Sequence, residues 1–214
     1  MDRSRVGIVI PALNESTTIT DVVRGARSYG VPIVVDDGST DATANLAKQS
    51  GAVVVSHLEN SGYDRAINSG FTKAAEIGCE IVITVDADGQ HNPMLIQKFI
   101  DTIDAQADVV IGIRSRKQRL AEHIFAMYTR LCFGIKDPLC GIKAYRISIF
   151  KALGHFDSYG SIGTELSLYA ARSGYQIHQI AFLVRERQGR SRFGAVMSAN
   201  TRIFRAMVLG ISRG

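Results

Sequence analysis

Ile81-Val-Ile-Thr-Val-Asp-Ala-Asp-Gly-Gln-His-Asn-Pro93 is the stretch that decides the fold of this 214-residue chain. Its first five residues are mostly apolar and β-branched, which predicts a strand buried on both faces of a parallel sheet. Asp86 and Asp88 follow directly, and Pro93 suits the first turn of a helix. Carboxylates are costly inside a core but natural at the carboxyl edge of an open α/β sheet, where ligands bind. The stretch therefore predicts a buried strand that ends in a ligand site.

The pair formed by Asp86 and Asp88 allows two interpretations. Hard cations such as Mg²⁺ take oxygen ligands, and they use one or two carboxylates beside substrate phosphates. Alternatively, both acids cap the next helix and tighten the turn before it. The motif alone does not decide between these roles, so the rest of the chain has to.

Length and composition predict one large α/β domain, since 46% of the 214 residues are hydrophobic. The sequence contains no run of about 20 apolar residues that would span a membrane, and no secretory signal opens it. The three cysteines have no metal-site spacing, which indicates packing roles in a reducing compartment. We therefore predict a cytoplasmic protein, either free or peripheral at the cytoplasmic face of a membrane.

The net charge of +5 is unevenly distributed. Two clusters of basic residues stand out: the first is Arg114, Arg116, Lys117 and Arg119, and the second is Arg185, Arg187, Arg190 and Arg192, with Arg202, Arg205 and Arg213 beyond it. Such charge attracts nucleic acid, anionic lipid or a polyphosphate substrate. Aromatic residues do not interleave with the arginines as a stacking platform requires, so we predict no nucleic-acid partner. For Lys117 and Arg119 we favour a solvated basic surface.

Strand patterns alternate with helical patterns along the chain. The predicted strands are 6–10, 31–35, 52–56, 81–85, 108–113, 141–145 and 176–184. Helices are predicted at about 16–28, 41–50 and 164–173, before residue 77, and around residues 95–103 and 120–131. Alternation with short turns predicts a Rossmann-like, mostly parallel sheet that helices cover on both faces.

Three predicted strands end in polar loops, at residues 11–15, 36–41 and 86–91. Parallel strands place their carboxyl ends along one edge, so these loops should converge on one ligand. The chain lacks Gly-x-x-x-x-Gly-Lys-Ser/Thr, which argues against a P-loop nucleotidase. It also lacks Gly-x-Gly-x-x-Gly after the first strand, which argues against a dinucleotide dehydrogenase. A site with carboxylates for a base, a ribose and a metal remains.

The loops and their neighbours resemble the motifs of family 2 glycosyltransferases, particularly the polyprenyl-phosphate (dolichol-phosphate) mannosyl- and glucosyltransferases. The resemblance rests on six segments in the family's order: Pro11-Ala-Leu-Asn-Glu15, Val34-Val-Asp-Asp-Gly-Ser-Thr-Asp41, Asp86-Ala-Asp-Gly-Gln-His91, Ile111-Gly-Ile-Arg114, Asp137-Pro-Leu-Cys-Gly-Ile-Lys143 and Arg187-Gln-Gly-Arg-Ser-Arg192. It implies a single domain over 1–214 with the A-type glycosyltransferase fold. Residues 1–114 would form the nucleotide-sugar-binding half, 115–193 the acceptor-side half, and 194–214 a basic amphipathic tail.

The resemblance also implies roles for individual residues. By position in the motifs, Pro11, Leu13 and Glu15 would surround the base and ribose of a nucleotide-sugar donor, with Val35 and Asp37 on the base. The diphosphate and its Mg²⁺ or Mn²⁺ would be held by Asp86, Ala87, Asp88 and Gln90, of which Asp86, Asp88 and Gln90 would bind the metal. Donor or acceptor phosphate would be held by Arg114, Arg187 and Arg192. Simpler alternatives are a helix N-terminal charge for Glu15, a turn role for Asp37 and a surface position for Arg187.

The implied reaction is metal-dependent, inverting transfer of a hexose from a GDP- or UDP-sugar to a polyprenyl phosphate. The alternative acceptor is a hydroxyl group in glycan or cell-envelope polysaccharide synthesis. A phosphate oxygen is already anionic and needs no base, whereas a hydroxyl does. Asp137 and Glu165 are the candidate bases, and structural roles are equally compatible with both. Other functions to separate are a sugar-phosphate nucleotidyltransferase, whose glycine-rich basic loop is missing here, and a binding module without turnover.

Three positions depart from the family pattern. Leu13 stands where an aromatic residue is common, Tyr63-Asp64 where glycine and a basic residue are common, and Arg192 where lysine is usual. In the tail, Val196, Ala199, Ile203, Met207 and Gly210 recur at helical spacing among arginines. This pattern is typical of a helix on an anionic membrane, and equally of a terminal helix packed on the core or on a partner, either a membrane protein or a second copy.

Overall fold

The computed structural model describes residues 2–89, 93–115, 119–183 and 196–212, with side chains in the last range described from residue 200. Several residues singled out from the sequence lie outside these ranges: Gln90, Arg116, Lys117, Arg185, Arg187, Arg190, Arg192 and Arg213. Their predicted roles stay predictions.

The described residues form strands that alternate with helices over most of the chain. The strands are β1 (Val6–Ala12), β2 (Val31–Asp36), β3 (Val53–Ser56), β4 (Ile81–Thr84), β5 (Val109–Arg114), β6 (Lys143–Arg146) and β7 (Ile177–Phe182). The helices are α1 (Ile19–Arg27), α2 (Thr43–Gln49), α3 (Tyr63–Glu76), α4 (Met94–Ala105), α5 (Leu120–Phe133), α6 (Ile147–Leu153), α7 (Glu165–Arg172) and α8 (Val196–Ser212), and a 3₁₀ turn at Arg3–Arg5 precedes them. The short α6 follows β6 without a turn signal, and the sequence analysis did not predict it.

The strands form one sheet in the order β3-β2-β1-β4-β6-β5-β7. All neighbouring pairs are parallel except those of β6, which runs antiparallel to both β4 and β5. The predicted, mostly parallel sheet is confirmed. The direction of β6 follows from the chain path, because the backbone N–H of Arg114 donates to Asp137 Oδ2 at 3.0 Å. After α5 the chain has thus returned to the carboxyl edge, and it enters the sheet from that side.

β1 continues further than the sequence predicted, because Pro11 was expected to stop it. Pro11 and Ala12 still pair with Val35 and Asp36 of β2, whereas β4 pairs with β1 only as far as Val9. A proline is tolerated where no neighbouring strand requires its missing N–H. Pro11 therefore lies inside the strand but beyond the end of β4.

The sheet has a hydrophobic core on each face, as predicted. On one face, side chains from α1 and α4 such as Ile19 and Phe99 pack against Ile8 and Ile83 of the sheet. On the other, Phe71 of α3 packs with aromatic and aliphatic residues of β6, α6 and α7. β4 is buried along its whole length, as its near-continuous apolar sequence requires. The rigid sheet therefore holds the polar loops at its carboxyl edge.

Candidate active site

The first two polar loops are joined by direct hydrogen bonds. Asn14 adopts a left-handed backbone conformation with φ of 50°, and its backbone N–H donates to Ser39 Oγ at 2.8 Å. Its side-chain Oδ1 accepts from the backbone N–H of Thr40, also at 2.8 Å. The Glu15 N–H donates to Thr43 Oγ1 at 2.8 Å. The convergence of these loops, predicted from the parallel sheet, is therefore present in the structure.

Asp41 stabilises the same junction. Its carboxylate accepts hydrogen bonds from the backbone N–H groups of Thr43 at 3.0 Å and Ser16 at 3.2 Å. Burial acts to raise the pKa of Asp41, but the hydrogen bonds from Thr43 and Ser16 outweigh it and lower the pKa to about 2. Asp41 was predicted to cap α2, but the N-cap residue is Ala42; Asp41 precedes it, bonds the first N–H of the helix, and also holds the loop that precedes α1.

Glu15 is buried at the start of α1. Its backbone carbonyl accepts from the N–H groups of Thr18 and Ile19, and its carboxylate accepts from Thr18 Oγ1 at 3.3 Å. These contacts match the helix N-terminal role that the sequence left open. A contact with ribose stays a prediction.

Asp37 connects the end of β2 to the start of α3. It is 5% exposed. Its Oδ1 accepts from the Ser61 N–H at 2.9 Å and lies 2.7 Å from His57 Nδ1, while Oδ2 accepts from the Gly62 N–H at 2.9 Å. His57 Nε2 in turn lies 2.9 Å from Ser69 Oγ in α3. The carboxylate thus has protein partners on both oxygens, which favours the turn role, and its contact with a base stays a prediction.

Val35 and Ala87 are two predicted substrate contacts whose side chains are buried. Val35 is fully buried and Ala87 is 3% exposed. Pro11 and Leu13 are partly exposed at the edge of the sheet. The side chains of Val35 and Ala87 therefore belong to the core, and only their backbone groups are available to a ligand.

Asp86 lies directly against Gly141. A Cβ built at Gly141 would stand 2.7 Å from Asp86 Cγ and 2.8 Å from Oδ1, so the glycine leaves the space that the carboxylate occupies. Thr84 holds this segment in place, because its Oγ1 donates to the Gly141 carbonyl at 2.6 Å and accepts from the Lys143 N–H at 3.1 Å. Asp88 is buried nearby in the same turn. The structure therefore builds a defined position for the Asp86 carboxylate.

The carboxylates of this turn fit a hard divalent cation better than a softer one. Within the described ranges, no group of three or more His, Cys, Asp or Glu residues could hold a metal. Mg²⁺ and Mn²⁺ do not need such a group, since they use one or two carboxylates with substrate phosphates and water. Asp86 and Asp88 could supply those oxygens. Gln90, the third predicted ligand, lies outside the described residues.

Tyr63 and Asp64 connect this site to the loop that precedes α7. The Asp64 carboxylate accepts from the backbone N–H groups of Gly163 at 2.7 Å and Ile162 at 3.2 Å. The Gly163 carbonyl accepts from the buried Lys143 Nζ at 2.5 Å. These hydrogen bonds hold Ile162 at φ of 57°, a left-handed backbone conformation that β-branched residues rarely adopt. A basic residue at position 64 could not accept these bonds.

Burial shifts the pKa values of all three ionisable groups here. Burial and the nearby charge of Asp157 raise the pKa of Asp64 to about 6, whereas burial lowers the pKa of Lys143 to about 8. The pKa of Tyr63 is raised as well, by burial of its hydroxyl and by the charge of Asp86, although 36% of the residue is exposed. A phenol is protonated at neutral pH without any shift, so Tyr63 can act as a hydrogen-bond donor.

Arg114 forms a buried ion pair with Asp137. Its Nε and Nη2 donate to the two Asp137 oxygens, each at 2.9 Å, and Nη2 also lies 3.2 Å from Glu122 Oε2. Asp137 is 1% exposed. Burial alone would lower the pKa of Arg114, but the hydrogen bonds and charge of Asp137 raise it above its ordinary value. This geometry favours a structural role for Asp137 over that of a general base.

The prediction for Arg119 was wrong. Its side chain is 14% exposed, and Nη1 donates to Glu122 Oε1 at 3.1 Å, so it is no solvated surface residue. The physical reason is Glu122, which is buried between α5 and β5 and attracts cations from both sides.

Glu165, the second candidate base, is also engaged. Its oxygens accept from the Ser158 N–H at 2.6 Å and Ser158 Oγ at 2.9 Å, and Oε1 lies 3.0 Å from His155 Nε2. These contacts hold the loop before α7 against the first turn of that helix. They are consistent with the structural role that the sequence analysis left open.

Three residues of this region were missed by the sequence analysis as contributors: His57, Lys143 and Gly141. His57 stands alone in a polar turn, so no sequence signal indicated its contact with Asp37. Lys143 and Gly141 belong to a motif that was quoted, but their partners lie far away in sequence. Only Tyr63-Asp64 carried a usable signal, namely a departure from the family pattern.

Comparison with known proteins agrees with this geometry. Polyprenol monophosphomannose synthase of Mycolicibacterium smegmatis is 27% identical over 209 residues, which cover 86% of this chain and 78% of that protein. UDP-N-acetylglucosamine–dolichyl-phosphate N-acetylglucosaminyltransferase of Methanococcus voltae is 29% identical over 178 residues, covering 68% and 71%. Among solved structures, glucosyl-3-phosphoglycerate synthase of Mycobacterium tuberculosis, in complex with Mg²⁺ and UDP, superposes with a TM-score of 0.79. It is 22% identical, and the superposition covers 98% of this chain and 80% of that one.

The family assignment rests on a match that covers most of the chain. The sequence profile described as Glycosyl transferase family 2 matches residues 7–160, which include all of β1 but its first residue, β2 through β6, and the carboxylates that follow β4. The likeness to the solved synthase supports the A-type glycosyltransferase fold. The chain is therefore a glycosyltransferase and belongs to glycosyl transferase family 2.

Proposed function

We propose that this glycosyltransferase moves a hexose from a GDP- or UDP-linked sugar to a polyprenyl phosphate, with inversion at the anomeric carbon and dependence on Mg²⁺ or Mn²⁺. The observation that carries the proposal is the placement of Asp86 and Asp88 at the end of β4, with Gly141 leaving room for the Asp86 carboxylate. The names of the relatives, a polyprenol monophosphomannose synthase and a dolichyl-phosphate N-acetylglucosaminyltransferase, support the lipid-phosphate acceptor.

The donor would bind along the loops that follow β1, β2 and β4. Pro11, Leu13 and Glu15 would line the base and ribose, with Asp37 and the backbone of Val35 at the base. Hydrogen bonds between these loops hold them in place before the donor arrives, which reduces the entropic cost of binding. Leu13, which is partly exposed, would offer the base an aliphatic contact.

The diphosphate would lie against the turn that follows β4. Asp86 and Asp88 would supply carboxylate oxygens to the cation, with Gln90 as the third ligand and Ala87 contributing its backbone. When bound, the metal neutralises charge that develops on the departing nucleoside diphosphate. Tyr63, whose phenol is protonated at neutral pH, could donate a hydrogen bond to a phosphate oxygen.

Both candidate bases, Asp137 and Glu165, already accept hydrogen bonds from other protein groups. This favours an acceptor that needs no general base. Asp137 is paired with Arg114, and Glu165 is bonded to Ser158 and His155. A polyprenyl phosphate presents an oxygen that is already anionic, whereas a hydroxyl acceptor would require a free base. Arg114, with Arg187 and Arg192 from outside the described residues, would hold that phosphate by charge-assisted hydrogen bonds.

The C-terminal helix α8 has features that suit contact with a membrane. In α8, Phe204, Val208 and Ile211 are exposed, and Arg202 and Arg205 are exposed with them. No helix within the described ranges is long and apolar enough to cross a bilayer. We propose that the protein works at the cytoplasmic face of a membrane. It would be held there by peripheral contact or by a membrane-protein partner, and it could act as a homodimer.

A two-step experiment tests the function. A thermal-shift screen of GDP- and UDP-sugars with and without Mn²⁺ identifies the donor, since a ligand stabilises the folded state by mass action. Transfer of radiolabelled sugar from that donor to polyprenyl phosphate is then measured with wild type and with Asp88→Asn as a matched control. Transfer that requires both Mn²⁺ and Asp88 supports the proposal. Transfer only to a glycan hydroxyl, or donor binding without any turnover, contradicts it.

A further inference from the structure

We propose that His57 is a positioning residue for recognition of the donor base. Together with Ser69 it holds the Asp37 carboxylate in one orientation, which leaves that carboxylate a single acceptor position for a ring N–H of the base. The inference rests on the proposed function, because it takes the base of a nucleotide-sugar to lie at Asp37. His57 itself lies outside the six segments that resemble the family motifs.

Three protein groups within the described part of the chain donate to the Asp37 carboxylate. The backbone N–H groups of Ser61 and Gly62 donate to Oδ1 and Oδ2, each at 2.9 Å, and His57 Nδ1 lies 2.7 Å from Oδ1. A carboxylate has about four lone-pair positions, two on each oxygen. Both positions of Oδ1 are therefore filled, and Oδ2 keeps one. The side chain is 7% exposed, so a ligand at the carboxyl edge of the sheet can reach it.

The His57 ring is fixed from three directions. Its backbone N–H donates to the Asp36 carbonyl at 2.9 Å, which holds the loop after β3 against the end of β2. Because an ionised carboxylate only accepts hydrogen bonds, Nδ1 is assigned the proton that faces Asp37. Nε2 lies 2.9 Å from Ser69 Oγ, and a hydroxyl can donate to a neutral ring or accept from a charged one. The ring therefore bridges β2 and α3 and cannot turn away from the carboxylate.

The same order of carboxylate, imidazole and hydroxyl activates the serine of hydrolases, but Ser69 is not placed as a nucleophile. It lies inside α3, where each backbone N–H bonds to a carbonyl one turn earlier. A nucleophilic serine needs free N–H donors beside it for the oxyanion that forms. The described backbone around Ser69 offers none, so the hydroxyl serves to orient the ring.

A carboxylate with one open acceptor position selects bases by their ring nitrogen. Uracil and guanine carry a hydrogen on the nitrogen of their pairing edge, whereas cytosine and adenine carry a lone pair there, which a carboxylate repels. A hydrogen bond to an ionised acceptor is stronger than one between neutral groups, so the ring N–H gives real selectivity. Without His57, Oδ1 would gain an open position and the carboxylate could turn. Recognition of the ring N–H would then weaken, although Asp37 itself is unchanged.

The preference between nucleotides of similar size tests the inference. Titration calorimetry with Mn²⁺ compares UDP with CDP, or GDP with ADP, according to the donor that the thermal-shift screen identifies. Wild type should prefer UDP or GDP roughly 10–100-fold, which corresponds to one hydrogen bond to a charged group. His57→Leu should reduce this preference at least about fivefold, which corresponds to one ordinary hydrogen bond.

Steady-state transfer gives a second measurement on the same variant. His57→Leu should raise the KM for the donor and leave kcat within about twofold of wild type, because the lost contact serves the ground state and the transition state alike. A defect in the catalytic groups themselves would lower kcat instead.

Two conservative variants separate the contact with Asp37 from the contact with Ser69. His57→Asn keeps an amide N–H near the position of Nδ1 and should restore most of the base preference. His57→Gln extends its amide toward the position of Nε2 and should not restore it. His178→Leu is the matched control, because His178 is exposed on β7, at the opposite edge of the sheet from β3, and it should behave like wild type.

Three results would overturn the inference. The first is an unchanged base preference in His57→Leu. The second is an equal loss of affinity for both nucleotides together with a lower melting temperature, which is the result of a structural role alone. The third is covalent labelling of Ser69 by a fluorophosphonate, since the hydroxyl would then be an activated nucleophile.

The same measurements separate this inference from the proposed function, because nucleotide binding needs no acceptor. If wild type transfers sugar to polyprenyl phosphate while His57→Leu keeps the full base preference, the positioning role fails and the function stands. If the base preference depends on His57 but no sugar reaches polyprenyl phosphate, the function fails and the positioning role stands.

Discussion

The substitution Gly141→Ala should weaken metal binding strongly while it lowers the stability of the fold only slightly. A Cβ at this position would stand 2.7 Å from Asp86 Cγ. Carbon atoms in contact normally stand about 3.5–4.0 Å apart, so the carboxylate must retreat by about 1 Å. Metal ligands hold their distances within about 0.2 Å, so this displacement removes Asp86 from any productive geometry. The Asp86 side chain can rotate away, and Gly141 does not use a left-handed conformation, so the loss of stability should stay near 1 kcal/mol.

Calorimetric titration with Mn²⁺ in the presence of UDP or GDP measures the first effect, and urea unfolding measures the second. We expect the affinity for Mn²⁺ to fall roughly 10–100-fold, as it does when groups that position metal ligands are disturbed. Gly210→Ala in α8 is the control, because its Cβ would meet Leu168 Cδ1 at a tolerable 3.3 Å far from the site. Wild-type affinity for Mn²⁺ in Gly141→Ala would refute the assignment of Asp86 as a ligand.

Three further predictions test other parts of the structure. Asp88→Ala should abolish sugar transfer while the melting temperature stays within a few degrees of wild type, and full activity would rule out its metal role. Asp137→Ala should lower the free energy of unfolding by roughly 2–3 kcal/mol in urea, because it removes the two charge-assisted hydrogen bonds of Arg114 and leaves only Glu122 opposite its charge; a loss below about 1 kcal/mol would show that the pair is unimportant. Burial lowers the pKa of Lys143 from 10.5 to about 8, so between these values the unfolded chain holds a proton on Lys143 that the folded protein has lost, and Lys143 contributes stability that rises with pH. Buried Cys140 and Tyr145, whose pKa values are raised, act in the opposite direction in both proteins. The difference in the free energy of unfolding between wild type and Lys143→Met, measured in urea, should therefore rise with pH across that window, and a constant difference would contradict the shift.

Much of the architecture could be predicted because its signals are local. The unbroken apolar run before Asp86 indicated a strand buried on both faces, and β4 is such a strand. The helical pattern around residues 95–103 likewise predicted α4, in which Ile96, Phe99, Ile100 and Ile103 are buried. The direction of β6 could not be predicted, because it depends on where the chain stands after α5. That position is set by the contact between Asp137 and Arg114, two residues that are far apart in sequence.

The roles of single polar residues were harder to predict than the elements that carry them. Asp37 and Asp137 were expected to meet a substrate, yet both accept hydrogen bonds from other parts of the protein. A carboxylate in a motif looks the same whether it faces a ligand or a backbone N–H group. Burial decides between the two, and burial depends on segments such as residues 57–62 that no local pattern connects to β2.

The sequence by itself determined the alternating strands and helices, the buried central strand and the acidic turn after it, because side-chain period and turn chemistry are properties of neighbouring residues. The family also followed from the sequence, through the order of its motifs. Only the tertiary structure decided that Gly141 makes room for Asp86 and that Asp64 and Lys143 both bond to Gly163. It also decided that α5 leaves Leu120, Met127 and Leu131 exposed. These are contacts between distant parts of the chain, and packing alone determines which side chains they bury and which they leave in water.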